Sequence, residues 1–94
     1  ALVTMRNSLS VGAIRALRGL GLQHRVALVG FDDFELADLM QPGLTVVRQD
    51  VAVIGAEAAR LLFARIDGDT SPPRQVVVPL SLVQRGSGEI PPSR

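Results

Sequence analysis

Two adjacent carboxylates, Asp32 and Asp33, close an apolar run in the stretch "VALVGFDDFEL" (Val26 to Leu36). Paired carboxylates do acid–base work when their surroundings split their pKa values. Such chemistry also needs a nucleophile, a metal or a second acid within reach. From Val26 to Gly43 the chain has no Ser, Thr, Cys or His. The single histidine, His24, stands in a loop-like stretch with no ligand set around it, and is expected at the surface. All ten basic residues are arginine. The absence of lysine excludes a phosphate-loop lysine, a Schiff base and a receiver-domain lysine. The arginines are scattered, which fits solvated faces better than a phosphate track. Ten basic against nine acidic residues give a net charge of +1, which is no footprint for nucleic acid. The absence of cysteine excludes a disulfide scaffold and a thiolate metal site. No catalytic residue, metal or cofactor is therefore expected.

The elements that hold these carboxylates follow from periodicity. Val26 to Val29 is apolar throughout, which suits a strand covered on both faces. Gly30 then permits either a tight turn or a close backbone approach. In open α/β sheets, ligands bind beyond the carboxyl ends of parallel strands. Asp32 and Asp33 fall at that end of this strand. An earlier strand is expected over Leu2 to Met5. A helix over Ser10 to Leu20 carries Val11, Ile14, Leu17 and Leu20 at helical spacing. Ser8 or Ser10 can cap its start, and Gly21 can sit just past its end. Phe34 to Met40 is expected as a short helix, Gln41 to Gly43 as a turn, and Leu44 to Arg48 as a third strand. Asp50 is a good cap for a long helix over Val51 to Ile66. That helix is apolar on more than one side, so it should be covered on more than one side. Val76 to Val83 is expected to be extended, with Pro79 marking an edge strand or a crossover. Residues 87–94 have the composition of a disordered tail.

The β-α-β-α-β-α-β order predicts an α/β fold, a doubly wound and mostly parallel sheet with helices on both faces. An apolar fraction of 47% with only 3% aromatics predicts an aliphatic core. No apolar run is long enough for a membrane span, so no membrane partner is expected. The opening "ALVTM" resembles a strand already in progress, so a longer parent chain is expected.

Three stretches carry a family resemblance: "GAIRALRGLGL", "VALVGFDDFELADLMQPGLTVVRQD" and "LLFARIDGDTSPPRQVVVPLSLVQRGS". Together they resemble the last third of the lactose-repressor (LacI/GalR) family of bacterial transcription regulators, from about Leu2 to Ser87. The most specific parts are "VGFDD", "LTVVRQD" and "PLSLVQRGS". The resemblance implies a partial periplasmic-binding-protein-like (type I) core. It assigns residues 1–48 to the C-terminal lobe and 49–78 to a crossover and a helix of the N-terminal lobe. It assigns residues 79–86 to a return strand. The implied function is the effector-binding and dimerisation segment of a cytoplasmic regulator, a homodimer answering to a sugar or nucleoside-like molecule. DNA would be bound only through a headpiece outside this sequence. A lobe of a periplasmic sugar-binding protein is the alternative.

The resemblance also implies site residues. Asn7, Gln49, Val51 and Asp32 would face or rim the effector cleft. An amide such as Asn7 offers two donors and an acceptor to sugar hydroxyls, although Asn7 could equally cap the following helix. Gln49 and Val51 could simply be a strand end beside a cap. Leu36, Leu39 and Met40 would lie in the dimer interface, or else close the local core. Two departures from the family pattern stand out. "LQHR" is shorter than the usual link, and Arg6-Asn7 replaces the usual Asn-Asp or Asn-Asn.

Overall fold

The computed structural model describes residues 1–92. It forms two compact units, one of Ala1–Arg48 with the chain from Ser81 onward, the other of Gln49–Leu80. The first unit contains β1 (Leu2–Thr4), α1 (Asn7–Gly19), β2 (Leu28–Phe31), β3 (Thr45–Arg48), β4 (Ser81–Val83) and a 3-10 turn at Ser87–Glu89. Its four strands lie in the order β1-β2-β3-β4. The pairs β1–β2 and β2–β3 are parallel, with Leu2 opposite Leu28 and Val29 opposite Thr45. β4 runs antiparallel to β3, with Val47 opposite Leu82. The sheet is thus mostly parallel. Pro79 precedes the edge strand β4 and removes no ladder hydrogen bond from it.

The core of this unit is small and aliphatic: Leu17, Leu28, Ala37, Leu44 and Val46 are buried. Ala13, Ile14, Leu22, Val26, Phe34 and Val83 pack around them. Each fully buried aliphatic side chain contributes about 1.5–3 kcal/mol relative to exposure. Gly30 shows which of its two roles the fold uses. A Cβ there would lie 2.8 Å from the Ser10 hydroxyl, so the glycine lets α1 approach β2 closely. Ser10 is fully buried and shares a 2.7 Å hydrogen bond with the Thr4 hydroxyl on β1.

Four local expectations are corrected. α1 begins at Asn7, and Arg6 holds the cap position without a side-chain cap bond. Ser10 is unavailable as a cap because its hydroxyl serves Thr4 and the Arg6 carbonyl. Gly21 does take the left-handed position past the helix, at φ 69°.

Phe34 to Met40 is a chain of turns instead of a helix. Its bonds run from Ala37 N–H to the Phe34 carbonyl and from Leu39 N–H to the Leu36 carbonyl. The Ala37 carbonyl accepts from Leu44 N–H at 2.8 Å, which diverts the acceptor a continuing helix would use.

The extended stretch expected from Val76 is a strand only over Ser81–Val83. The chain changes unit just before it, at Leu80.

Ser87 to Glu89 is ordered, where a disordered tail was expected. Ser87 is buried, accepts from Thr45 N–H at 2.8 Å and donates to the Leu28 carbonyl at 2.6 Å. The Thr45 hydroxyl donates to the Glu89 carboxylate at 2.8 Å and accepts from Gly88 N–H. Polar composition here supplies tertiary hydrogen bonds, so the segment is held against the sheet. The expectation for Ser93 and Arg94 lies outside the described residues.

The second unit is dominated by α2 (Val51–Ile66). Asp50 caps it, accepting from Val53 N–H at 3.1 Å. No residue of α2 is buried, although Val51, Ile54, Leu62, Phe63 and Ile66 are all large, apolar and exposed.

Candidate functional site

The carboxyl ends of β1 and β2 carry the candidate residues of the first unit. β1 ends at Thr4, and the chain turns through Arg6 into Asn7, the first residue of α1. β2 ends at Phe31 and is followed by Asp32, whose φ is +74°. A non-glycine residue with positive φ is uncommon, and Asp is among the few that tolerate it. Asp32 N–H is nevertheless paired, donating to the Val47 carbonyl of β3 at 2.8 Å. This bond carries sheet pairing one residue past β2, and the left-handed turn then redirects the chain.

Asp33 is the most strongly tied residue here. Its Oδ1 accepts from Arg85 Nη1 at 2.7 Å and its Oδ2 from Arg85 Nη2 at 2.8 Å. This is the two-point geometry that a guanidinium offers a carboxylate. Arg85 Nη1 also donates to the Leu44 carbonyl at 3.2 Å, and Asp33 Oδ1 accepts from Phe34 N–H at 2.9 Å. The Arg85 hydrogen bond, above all, holds the Asp33 carboxyl below the usual carboxylate range. Reciprocally, Asp33 raises the Arg85 guanidinium. Both side chains are more than two-thirds covered, so solvent screens the pair less than a surface bridge.

Asn7 joins this arrangement through its amide. Its Nδ2 donates to the Asp33 carbonyl over a long 3.4 Å. Its Oδ1 is buried and has no hydrogen-bond partner among the described residues. The capping alternative for Asn7 is not what the fold uses, since the residue lies inside α1 and bonds across to the β2 loop. A shallow groove on this side is lined by Asp33, Phe34, Glu35, Asp38, Arg48 and Arg85. The arrangement offers an amide and an ordered acidic loop for hydrogen bonding.

Gln49 and Val51 belong to the second unit. Val51 is the exposed first residue of α2, and its N–H donates to the Gln49 carbonyl at 3.1 Å. Gln49 lines a mostly apolar groove with Ile54, Ala58, Leu61 and Val76 to Val78. Of the three residues of the turn segment expected at a dimer interface, Leu36 and Leu39 are exposed and Met40 is half-buried. The core position of that segment belongs to Ala37.

The sequence reading missed Arg85, which it grouped with the solvated arginines. Its partner Asp33 lies 52 residues away, and no local spacing links them. The only available signal was that the chain-distant "PLSLVQRGS" and "VGFDD" stretches were singled out together.

Comparison with known proteins agrees with this architecture. The family model described as "Periplasmic binding protein-like domain" matches residues 1–88. The HTH-type transcriptional regulator MalR of Streptomyces coelicolor is 42% identical over 89 residues, covering 93% of this chain and 26% of that protein. The ribose operon repressor of Escherichia coli K12 is 34% identical over 89 residues, covering 93% of this chain and 27% of the repressor. A crystal structure described as a transcription regulator from Staphylococcus saprophyticus superposes with a TM-score of 0.82 at 27% identity. That match covers 95% of this chain and 32% of the other. The chain thus spans about a quarter of the length of the curated relatives it matches. Its parallel strands, its Asp32–Asp33 loop and these matches place it plainly: the chain belongs to the periplasmic binding protein-like domain family, in the form carried by lactose-repressor (LacI/GalR) regulators in their C-terminal part.

Proposed function

We propose that this chain is the effector-binding and dimerisation segment of a bacterial, cytoplasmic DNA-binding regulator that represses transcription. It is not an enzyme in this reading. Residues 1–48 and the return strand form part of one lobe, and residues 49–78 contribute a crossover and a helix to the other. A small polar molecule, a sugar or a nucleoside-like compound, binds this core and shifts the affinity of a DNA-binding headpiece. That shift is a coupling free energy between two sites. Asn7 and Asp32 contribute from the first lobe, Gln49 and Val51 from the second. Leu36, Leu39 and Met40 join a second copy in a homodimer.

One observation supports this most directly. The Asn7 amide is tethered at the carboxyl end of a parallel strand with its Oδ1 buried and lacking a partner among the described residues. A ligand hydroxyl is the natural donor for such an acceptor, because a buried unpaired acceptor costs about 1–3 kcal/mol. The kinship to a ribose operon repressor supports the sugar class.

The test uses the regulator carrying this chain. Operator affinity is measured with and without D-ribose, D-glucose, maltose and cellobiose, alongside uridine. At least one compound is expected to change operator affinity by about 5–150-fold. Asn7→Ala is expected to weaken that response while operator affinity without ligand stays the same. A regulator insensitive to every compound, or an Asn7→Ala variant with an unaltered response, refutes the assignment.

A further inference from the structure

Arg85 stands outside the proposed ligand contacts, yet three chain segments meet at it. Its two terminal nitrogens grip both oxygens of Asp33, and Nη1 also reaches the Leu44 carbonyl that leads into β3. Asp33 immediately follows the left-handed Asp32. The Asp33 carbonyl is also the acceptor for the Asn7 amide. Arg85 in turn is held by its backbone, whose N–H donates to the Thr45 hydroxyl at 3.1 Å. Thr45 is buried in β3 and is fastened further by Ser87 and Glu89. The hydrogen-bond path therefore runs from the buried sheet, through Arg85, into the Asp32–Asp33 loop, and ends at Asn7.

From this path we propose that Arg85 is a positioning residue of the effector site. It sets the Asp32–Asp33 loop and, through the Asp33 carbonyl, the orientation of the Asn7 amide, and it does not touch the effector. The role depends on the shape of the guanidinium as well as its charge. A planar fork fixes both carboxylate oxygens and leaves one N–H for Leu44, whereas an ammonium is a compact point charge. Lysine would keep the attraction and lose the orientation. The inference rests on the effector-site reading proposed above, and it extends that reading to a residue outside the proposed ligand contacts.

The experiment compares the wild-type regulator with Arg85→Lys, Arg85→Gln and the neighbouring control Gln84→Ala. Hydrogen exchange is followed by mass spectrometry in peptides covering residues 32–35 and, separately, β2 and β3. Sugar affinity is measured by calorimetry with D-ribose, D-glucose, maltose and cellobiose, and operator affinity without sugar by fluorescence anisotropy. Arg85→Lys is expected to speed exchange at residues 32–35 by roughly tenfold with β2 and β3 unchanged. It is expected to weaken sugar binding by roughly tenfold, and to leave sugar-free operator affinity and Gln84→Ala behaviour at wild-type values. Arg85→Gln is expected to do the same or more. Exchange that rises equally across the sheet means a purely structural residue and overturns the proposal. So does sugar affinity that survives Arg85→Lys. A wild-type regulator that binds none of the four sugars overturns the sugar-site reading itself, and the role of Arg85 in binding falls with it.

Discussion

Gly30 offers the sharpest test of how this sheet is assembled. An added Cβ would meet Ser10 Oγ at 2.8 Å and Leu44 Cδ2 at 3.3 Å. Leu44 can yield a few tenths of an ångström by turning its methyl. Ser10 cannot, because it is fully buried and bonded to Thr4 Oγ1 at 2.7 Å. Overpacking of this kind costs about 1–3 kcal/mol. The φ of Gly30 is not positive, so alanine also narrows the unfolded ensemble and returns about 0.4–1 kcal/mol. Gly30→Ala should therefore lose about 1–2 kcal/mol net. For a chain of this size each kcal/mol moves Tm by about 4–8 °C, so a fall of roughly 5–15 °C is expected. Ser10→Ala alone should lose about 0.5–1.5 kcal/mol with the Thr4 bond. In the double variant the clashing oxygen is gone, and the two losses should not add. A coupling of at least about 1 kcal/mol is expected. Urea unfolding followed by circular dichroism gives all four corners of the cycle. A Gly30→Ala variant as stable as wild type refutes the close-approach argument. Strict additivity refutes the assignment of the clash to Ser10.

Other consequences follow from single groups. Ser87→Ala removes the acceptor of Thr45 N–H and the donor to the Leu28 carbonyl, and a loss of about 2–3 kcal/mol is expected from the urea midpoint; a loss under about 0.5 kcal/mol would mean that the tail does not hold the sheet. The Asp33 carboxyl is held below its ordinary 3.8. Its stabilising contribution should be complete above that value and vanish as pH falls through the lower folded value. Asp33→Asn should therefore be less stable than wild type at pH 6, with the difference shrinking below about pH 4; a pH-independent difference contradicts this. α2 exposes Phe63 at 60% and Leu62 at 58%, so the isolated chain should self-associate in sedimentation velocity. Phe63→Glu should shift it toward monomer, and a wild-type chain already monomeric at high concentration argues against that face being adhesive.

Much of the scaffold was legible because it rests on local chemistry. Alternation of apolar runs with glycine and proline marked the strands, and Asp50 marked the start of α2 at Val51. What escaped was decided at long range. Ser8 and Ser10 look alike as caps, yet Ser10 is consumed by Thr4 on a neighbouring strand. Phe34 to Met40 is long enough and apolar enough for a short helix, yet the Ala37 carbonyl is taken by Leu44. The Gly-Ser-Gly of the tail has the composition of disorder. Its small size is instead a packing demand, since a Cβ at Gly88 would sit 2.9 Å from Thr45.

Asp33 and Arg85 make the same point for the site. Nearby residues gave Asp33 a strand end and left Arg85 among the scattered, solvated arginines, and both descriptions were locally reasonable. Their bond exists because β4 returns beside β3 and delivers Arg85 to the Leu44 carbonyl and the end of β2. A carboxylate that looked like a candidate acid is thereby committed as an ionised structural partner. Its depressed pKa makes it a poor proton donor near neutral pH. The arginine that holds it comes from the other end of the chain, so the role of Asp33 follows from topology.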